Sequence, residues 1–193
     1  MSEPAERLVK LVLDLVLAAL VFAVLGVIGA LVWHQAVDLP HYSRTARGAE
    51  MDAVGLESLF PINGWYCAIG AVLGVIGGAG LLVWRHREPV WALLVSAASS
   101  ILAGLTMIQL GKALGPDDPS KILGAAKVGA TAPVQLALQG LDRHSHWYAD
   151  PYLYVWLGGA LLGATLVLLF VSPRSERRLG SESVVSTSAG GVA

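Results

Sequence analysis

The sequence predicts an all-α integral membrane protein: a four-transmembrane-helix bundle with two external segments, the second containing short helices. Three observations predict it. The 193 residues are 55% hydrophobic and 14% charged, against about 25% charged in soluble domains, which leaves too little polar surface to cover a soluble globule. Four apolar stretches, at residues 11–33, 65–84, 91–110 and 153–171, reach the roughly 20 helical residues that a hydrocarbon core requires. Trp33, Trp65, Trp84, Trp91, Tyr154 and Trp156 stand at the ends of those stretches, where amphipathic rings favour the headgroup level.

The first stretch competes with a signal peptide. Its apolar run exceeds a typical signal core and no convincing small-residue cleavage site precedes Trp33, so a retained anchor is expected. It holds Asp14, the one clear intramembrane charge, about a turn inside its start, with Lys10 four residues earlier on the same face. An interfacial ion pair with Lys10, or with Arg85 across the bundle, is the simpler account of Asp14; a proton or cation site is the other. Gly26 and Ala30 give this helix a small-residue step.

Residues 34–64 are polar and turn-rich and form the first external segment. The second span carries Gly70, Gly74 and Gly78, a doubled GxxxG ridge that lets helix backbones approach closely. A short basic turn with Arg85 and Arg87 leads into the third span, where Ser96, Ser100 and Gly104 repeat the four-residue step. Thr106 and Gln109 near its outer end suit interhelical hydrogen bonds. Gly159 and Gly163 repeat the step in the fourth span. Packing within one bundle explains these ridges; homo-oligomerisation, or docking on a larger membrane complex, is the alternative.

The second external segment, 111–152, is too long to be a plain connection. Asp118 followed by Pro119 reads as a helix start, with a helix over 120–128. Pro133 interrupts, and 134–141 reads as a second short apolar helix ended by Gly140, so that the pair caps the membrane face. Asp142, His144 and His146 bring two imidazoles and a carboxylate close in sequence, a weak metal-binding pattern, since spacing fixes no further ligand. A solvated linker ahead of Trp147, Tyr148 and Tyr152 accounts for it better. Residues 173–193 begin with Arg174, Arg177 and Arg178, turn rich in Ser, Gly and Ala, and are expected to form a disordered cytoplasmic tail.

Orientation follows from cation density. With the N-terminus inside, Arg7, Lys10, Arg85, Arg87, Arg174, Arg177 and Arg178 crowd against span ends on the cytoplasmic side. Arg44, Arg47, Lys112, Lys121, Lys127 and Arg143 are diluted over the long external segments among eight carboxylates, from Asp38 to Asp150. A multi-pass plasma-membrane protein with both termini cytoplasmic is the expectation.

The composition also excludes functions. A lone cysteine, Cys67, forms no internal disulfide and no cysteine-based zinc or iron–sulfur site. A net charge of -1 removes a whole-chain case for nucleic-acid binding. No histidine occupies a span interior, against a b-type haem, and P-loop, nucleophile-elbow and HExxH patterns are absent, so no cofactor and no enzymatic activity are expected.

The order of several features is also suggestive. A first span ending at Trp33 precedes an external segment closing with Glu57, Phe60 and Asn63-Gly64 at the mouth of a Gly-rich span. After a basic turn come Leu114-Gly115, Asp117 or Asp118, Ala126-Lys127-Val128-Gly129, Ala132-Pro133 and Leu136, and then a last span. This order resembles an uncharacterised family of actinobacterial four-span membrane proteins classed as a domain of unknown function. The resemblance covers residues 26–173 and is most specific from Val128-Gly129 to Pro133; the aromatic-rich stretch 142–152 departs from the family's shorter connection. It implies the four-span topology and a plasma-membrane setting, and brings no activity or site residue with it.

Two classes of function follow. The leading one is a non-enzymatic accessory or assembly subunit of a membrane or cell-envelope complex, whose partners are the lipid bilayer and a membrane protein complex or a second copy of itself. The other is a small transporter or channel, which would need a polar route through Asp14, Thr106 and Gln109. An external metal-binding protein ranks behind both.

Overall fold

The structure is a computed structural model, and it describes residues 3–57, 59–85, 88–138 and 151–171. The elements run α1 (Glu3–Ala36), β1 (His41–Thr45), β2 (Gly48–Glu50), α2 (Ala53–Glu57), α3 (Phe60–Trp84), α4 (Pro89–Leu114), α5 (Pro119–Gly124), β3 (Thr131–Pro133) and α6 (Leu153–Val171). Helices α1, α3, α4 and α6 are long and apolar enough to cross a membrane. Pro61 and Pro89 lie in the first turns of α3 and α4, where a missing N–H leaves no bond unmade. The Gly115 N–H closes α4 on the Gly111 carbonyl.

The long helices form two close parallel pairs. Gly26 of α1 lies on Ala103 of α4 and Trp33 on Gly111, the numbers rising together; Gly70 of α3 lies on Trp156 of α6 and Gly78 on Ala160. Between the pairs α1 runs antiparallel to α3, with Gly29 near Leu73 and Gly77 near Phe22. A core of Phe22, Trp33, Ile62, Tyr66, Met107 and Trp156 fills the centre. The outward faces stay apolar: Leu13, Leu20, Val72, Leu94 and Phe170 are all exposed.

The all-α expectation is corrected at one end of the bundle, where β1, β2 and β3 form an antiparallel sheet in the order β2-β1-β3. β1 and β2 make a hairpin in which Thr45 faces Gly48 and the positive φ of 137° falls on Gly48, the residue type that bears it without a Cβ clash. The Arg47 N–H bonds the Thr45 hydroxyl, and that hydroxyl donates to the Gly48 carbonyl. Asp118 caps α5 as the sequence indicates, its carboxylate accepting from the Ser120 N–H at 2.9 Å. That helix ends at Gly124 rather than at 128, because the chain then turns through Gly129, at φ 92°, to enter β3.

The helix expected over 134–141 is not formed over its described part, 134–138. Pro133 pairs with His41, Ala132 with Tyr42, and the Val134 N–H bonds the Pro40 carbonyl at 2.8 Å, which keeps the backbone extended. Ala132, Val134, Leu136 and Leu138 are buried while the residues between them are partly open, a two-residue alternation, and the chain bends at Leu136 and Ala137 instead of coiling. Residues 139–141 lie outside the described residues.

Arg44 fastens this cap. Its backbone bonds Gly129 and Ala130, and its guanidinium donates to the Leu123 carbonyl at 2.6 Å, at the end of α5 where carbonyls lack helical partners. Arg44→Ala is expected to cost the cap about 1.5–3 kcal/mol, the range for a hydrogen bond to a charged group. Hydrogen exchange should show it as faster exchange at the Gly129 and Val134 amides, with exchange in α3 and α6 unchanged.

Candidate functional site

The glycine ridges are joints between helices. An ideal Cβ on Gly74 would lie 2.9 Å from the Trp156 carbonyl oxygen and 3.1 Å from the Ala160 nitrogen, and on Gly78 it would strike the Ala160 backbone. From the opposite side, a Cβ on Gly159 would lie 2.7 Å from the Ala71 carbonyl oxygen, and on Gly163 it would strike the Val75 backbone. Ridge and counter-ridge interlock, and only hydrogen fits at these positions. Gly70 instead receives the Trp156 indole.

On α4, Ser96, Ser100 and Gly104 are buried together. Ser100 donates back to the Ala97 carbonyl at 2.8 Å. Gly104 leaves room for Trp156, Leu153 and the Tyr66 hydroxyl. Thr106 turns its hydroxyl to the Leu102 carbonyl of its own helix, and Gln109 is exposed.

Toward the sheet the bundle is closed by aromatic rings. Trp33, Tyr66 and Trp156 are 0% exposed. Trp33 lies in the space left by Gly111 and donates its indole N–H to the Ile62 carbonyl at 2.9 Å. Tyr66 meets Trp33 edge-on at 5.5 Å and Tyr152 at 6.4 Å, and the Asn63 amide donates to the Tyr152 hydroxyl at 2.8 Å. Trp33 and Trp156 are therefore interior side chains, which corrects their reading as members of an interfacial belt; Trp65, Trp84 and Tyr154 are exposed as that belt requires. The signal for the difference was present in Gly70 and Gly111, small residues that open a socket for an indole.

At the other end Asp14 and Arg85 form an ion pair, their side chains 18% and 25% exposed. Of the two partners that the sequence offers Asp14, the structure uses the arginine across the bundle. Arg85 also reaches Glu88 at 3.6 Å. These three residues and Lys10 line a charged cleft of about 770 Å³.

A second cleft, about 580 Å³, lies beside the sheet between His41, Glu50 and Asp52. Among the described residues no three His, Cys, Asp or Glu side chains are grouped to hold a metal ion. Asp142, His144 and His146 lie outside the described residues, as does the tail 173–193. No family model matches the chain, and neither the curated proteins nor the solved structures include one significantly similar to it.

Proposed function

We propose that the chain is a non-enzymatic, multi-pass plasma-membrane protein that serves as an accessory or assembly subunit of a membrane or cell-envelope complex. Both termini lie in the cytoplasm, the sheet-bearing cap lies outside, and the chain belongs with the actinobacterial four-span proteins that its motif order resembles. The observation that carries this reading is the filled core: Trp33, Tyr66, Met107 and Trp156, each 0% exposed, occupy the centre of the bundle. A conduit needs a polar lining, and the three residues that the sequence offers to begin one are engaged or point away. Asp14 pairs with Arg85, Thr106 bonds its own helix, and Gln109 faces outward. A rigid bundle with an apolar exterior and a folded cap is suited to holding partners in place.

Crosslinking and affinity purification of the full chain from native membranes tests the reading, with a stoichiometric membrane partner as the expected result. Ion or solute flux through the purified chain in liposomes would overturn it in favour of the transporter reading. Orientation is tested separately. Topology reporters fused after Ala193 and inserted at Glu88 should read cytoplasmic, and one in the β1–β2 hairpin near Ala49 should read external. An external signal at Ala193 would overturn the four-span arrangement.

A further inference from the structure

The charged cleft at the Asp14 end does not stop at the helix ends. Asp14 and Arg85 line both that cleft and a small adjoining cavity; Leu81 and Trp84 line both that cavity and an apolar groove of about 270 Å³ between α1 and α3. The three voids adjoin in a furrow that narrows to about 10 Å³ at the middle one. On α1 it follows Lys10, Asp14, Ala18 and Phe22, positions four apart on a single helix face. Its apolar part, from Ala18 to Leu25, is about 10 Å long at 1.5 Å per residue. Gly80 leaves its floor open, since a Cβ there would meet nothing within 4 Å, whereas the space above Gly77 is taken by Phe22 and Leu25.

The charges at its mouth are mixed. Lys10 is exposed and makes no ion pair among the described residues, Arg85 adds a second cation, and Glu88, exposed and 3.6 Å from Arg85, offers a carboxylate. Lys10 and Arg85 face the carboxylates of Asp14, which holds Arg85, and of Glu88, and this balanced mouth above an apolar groove matches a zwitterionic amphiphile whose head carries a phosphate and a primary ammonium.

We propose that this furrow holds one phospholipid with an ethanolamine headgroup, its phosphate on Lys10 and Arg85, its ammonium on Glu88, and an acyl chain over Gly80. The charge-assisted hydrogen bonds of phosphate and ammonium give headgroup selectivity. Choline offers no N–H to Glu88, and a glycerol headgroup offers no cation. The inference rests on the membrane placement proposed above, with the furrow opening to the cytoplasmic leaflet.

The test is native mass spectrometry of the purified full chain in detergent, with synthetic phosphatidylethanolamine, phosphatidylcholine or phosphatidylglycerol added. One phosphatidylethanolamine should be retained, about tenfold more tightly than the other two, the worth of one charge-assisted hydrogen bond. Gly80→Leu fills the groove from open space and should abolish that preference while leaving the lipid-free thermal midpoint in place. Lys10→Gln and Glu88→Gln, at exposed positions, should each weaken it. Equal retention of the three lipids, a preference for phosphatidylglycerol, or a Gly80→Leu chain that still selects phosphatidylethanolamine would overturn the site. A chain that fails to insert into liposomes would instead overturn the membrane placement, which separates the two failures.

Discussion

Gly78→Leu should dismantle the α3/α6 pair, whereas Gly80→Leu, two residues along the same helix, should leave it standing. The substitutions share one helix, one propensity change and one added volume, so the difference isolates what each Cβ meets. At Gly78 it meets the backbone of Ala160, and at Gly80 it meets nothing within 4 Å. Overpacking a core costs about 1–3 kcal/mol when side chains can yield. Here the obstacle is a helix backbone, fixed by its own hydrogen bonds, so α3 and α6 must move apart along the whole ridge. Gly74, Gly159 and Gly163 lose their contacts in the same step, and the expected loss therefore lies at or above the top of that range. Size-exclusion chromatography and thermal unfolding in mild detergent should show aggregation or a much lowered midpoint for Gly78→Leu. Equal behaviour of the two variants would mean that the ridge does not bear the packing. Ala71, on the same helix, is a poor control, because its carbonyl lies under Gly159.

The ridge shows which kind of information the sequence carries. Hydropathy over windows of about 20 residues reports a property that each helix has by itself, and the four long helices were legible for that reason. Gly70, Gly74 and Gly78 at steps of four likewise announce a close-packing face. They do not say that the facing residues are Trp156, Gly159 and Ala160, because partner choice is a property of the assembled bundle. Asp14 was legible to within two cations, and tertiary structure chose between them.

The cap is less legible for a different reason. The run from Val134 to Leu138 is apolar enough for a short helix, and its alternation of Val, Gln, Leu, Ala and Leu is equally that of an extended segment. Short apolar runs are ambiguous between the two periods, and here the Val134 bond to the Pro40 carbonyl decides. Trp33 and Trp156 are ambiguous in the sequence because an indole near a span end suits both the headgroup level and a buried socket.

Removing Arg85 should cost more than removing Asp14, and removing both should cost less than removing Arg85 alone. The two side chains are mostly buried, where breaking an ion pair from one side costs about 3–5 kcal/mol because a charge is left without its counterpart. The two halves are not equivalent. With Asp14→Leu, Arg85 keeps Glu88 at 3.6 Å and a flexible stem that can carry its charge toward water. With Arg85→Leu, the Asp14 carboxylate sits on a short side chain in an apolar helix, and Lys10, one turn away and exposed, must reach back to it. Arg85→Leu should therefore fall in the upper part of that range and Asp14→Leu below it. The double Leu variant, apolar on both sides, should recover much of the loss, since a packed apolar pair often replaces a buried ion pair without penalty. Thermal unfolding of the four proteins in one detergent gives the double-mutant cycle, and strictly additive losses would show that Asp14 and Arg85 do not act as a pair. If the double variant recovers, the ion pair contributes little net stability, and its part is to set how α1 meets the end of α3. That geometry also places the carboxylate and the guanidinium at the mouth of the furrow between the same two helices.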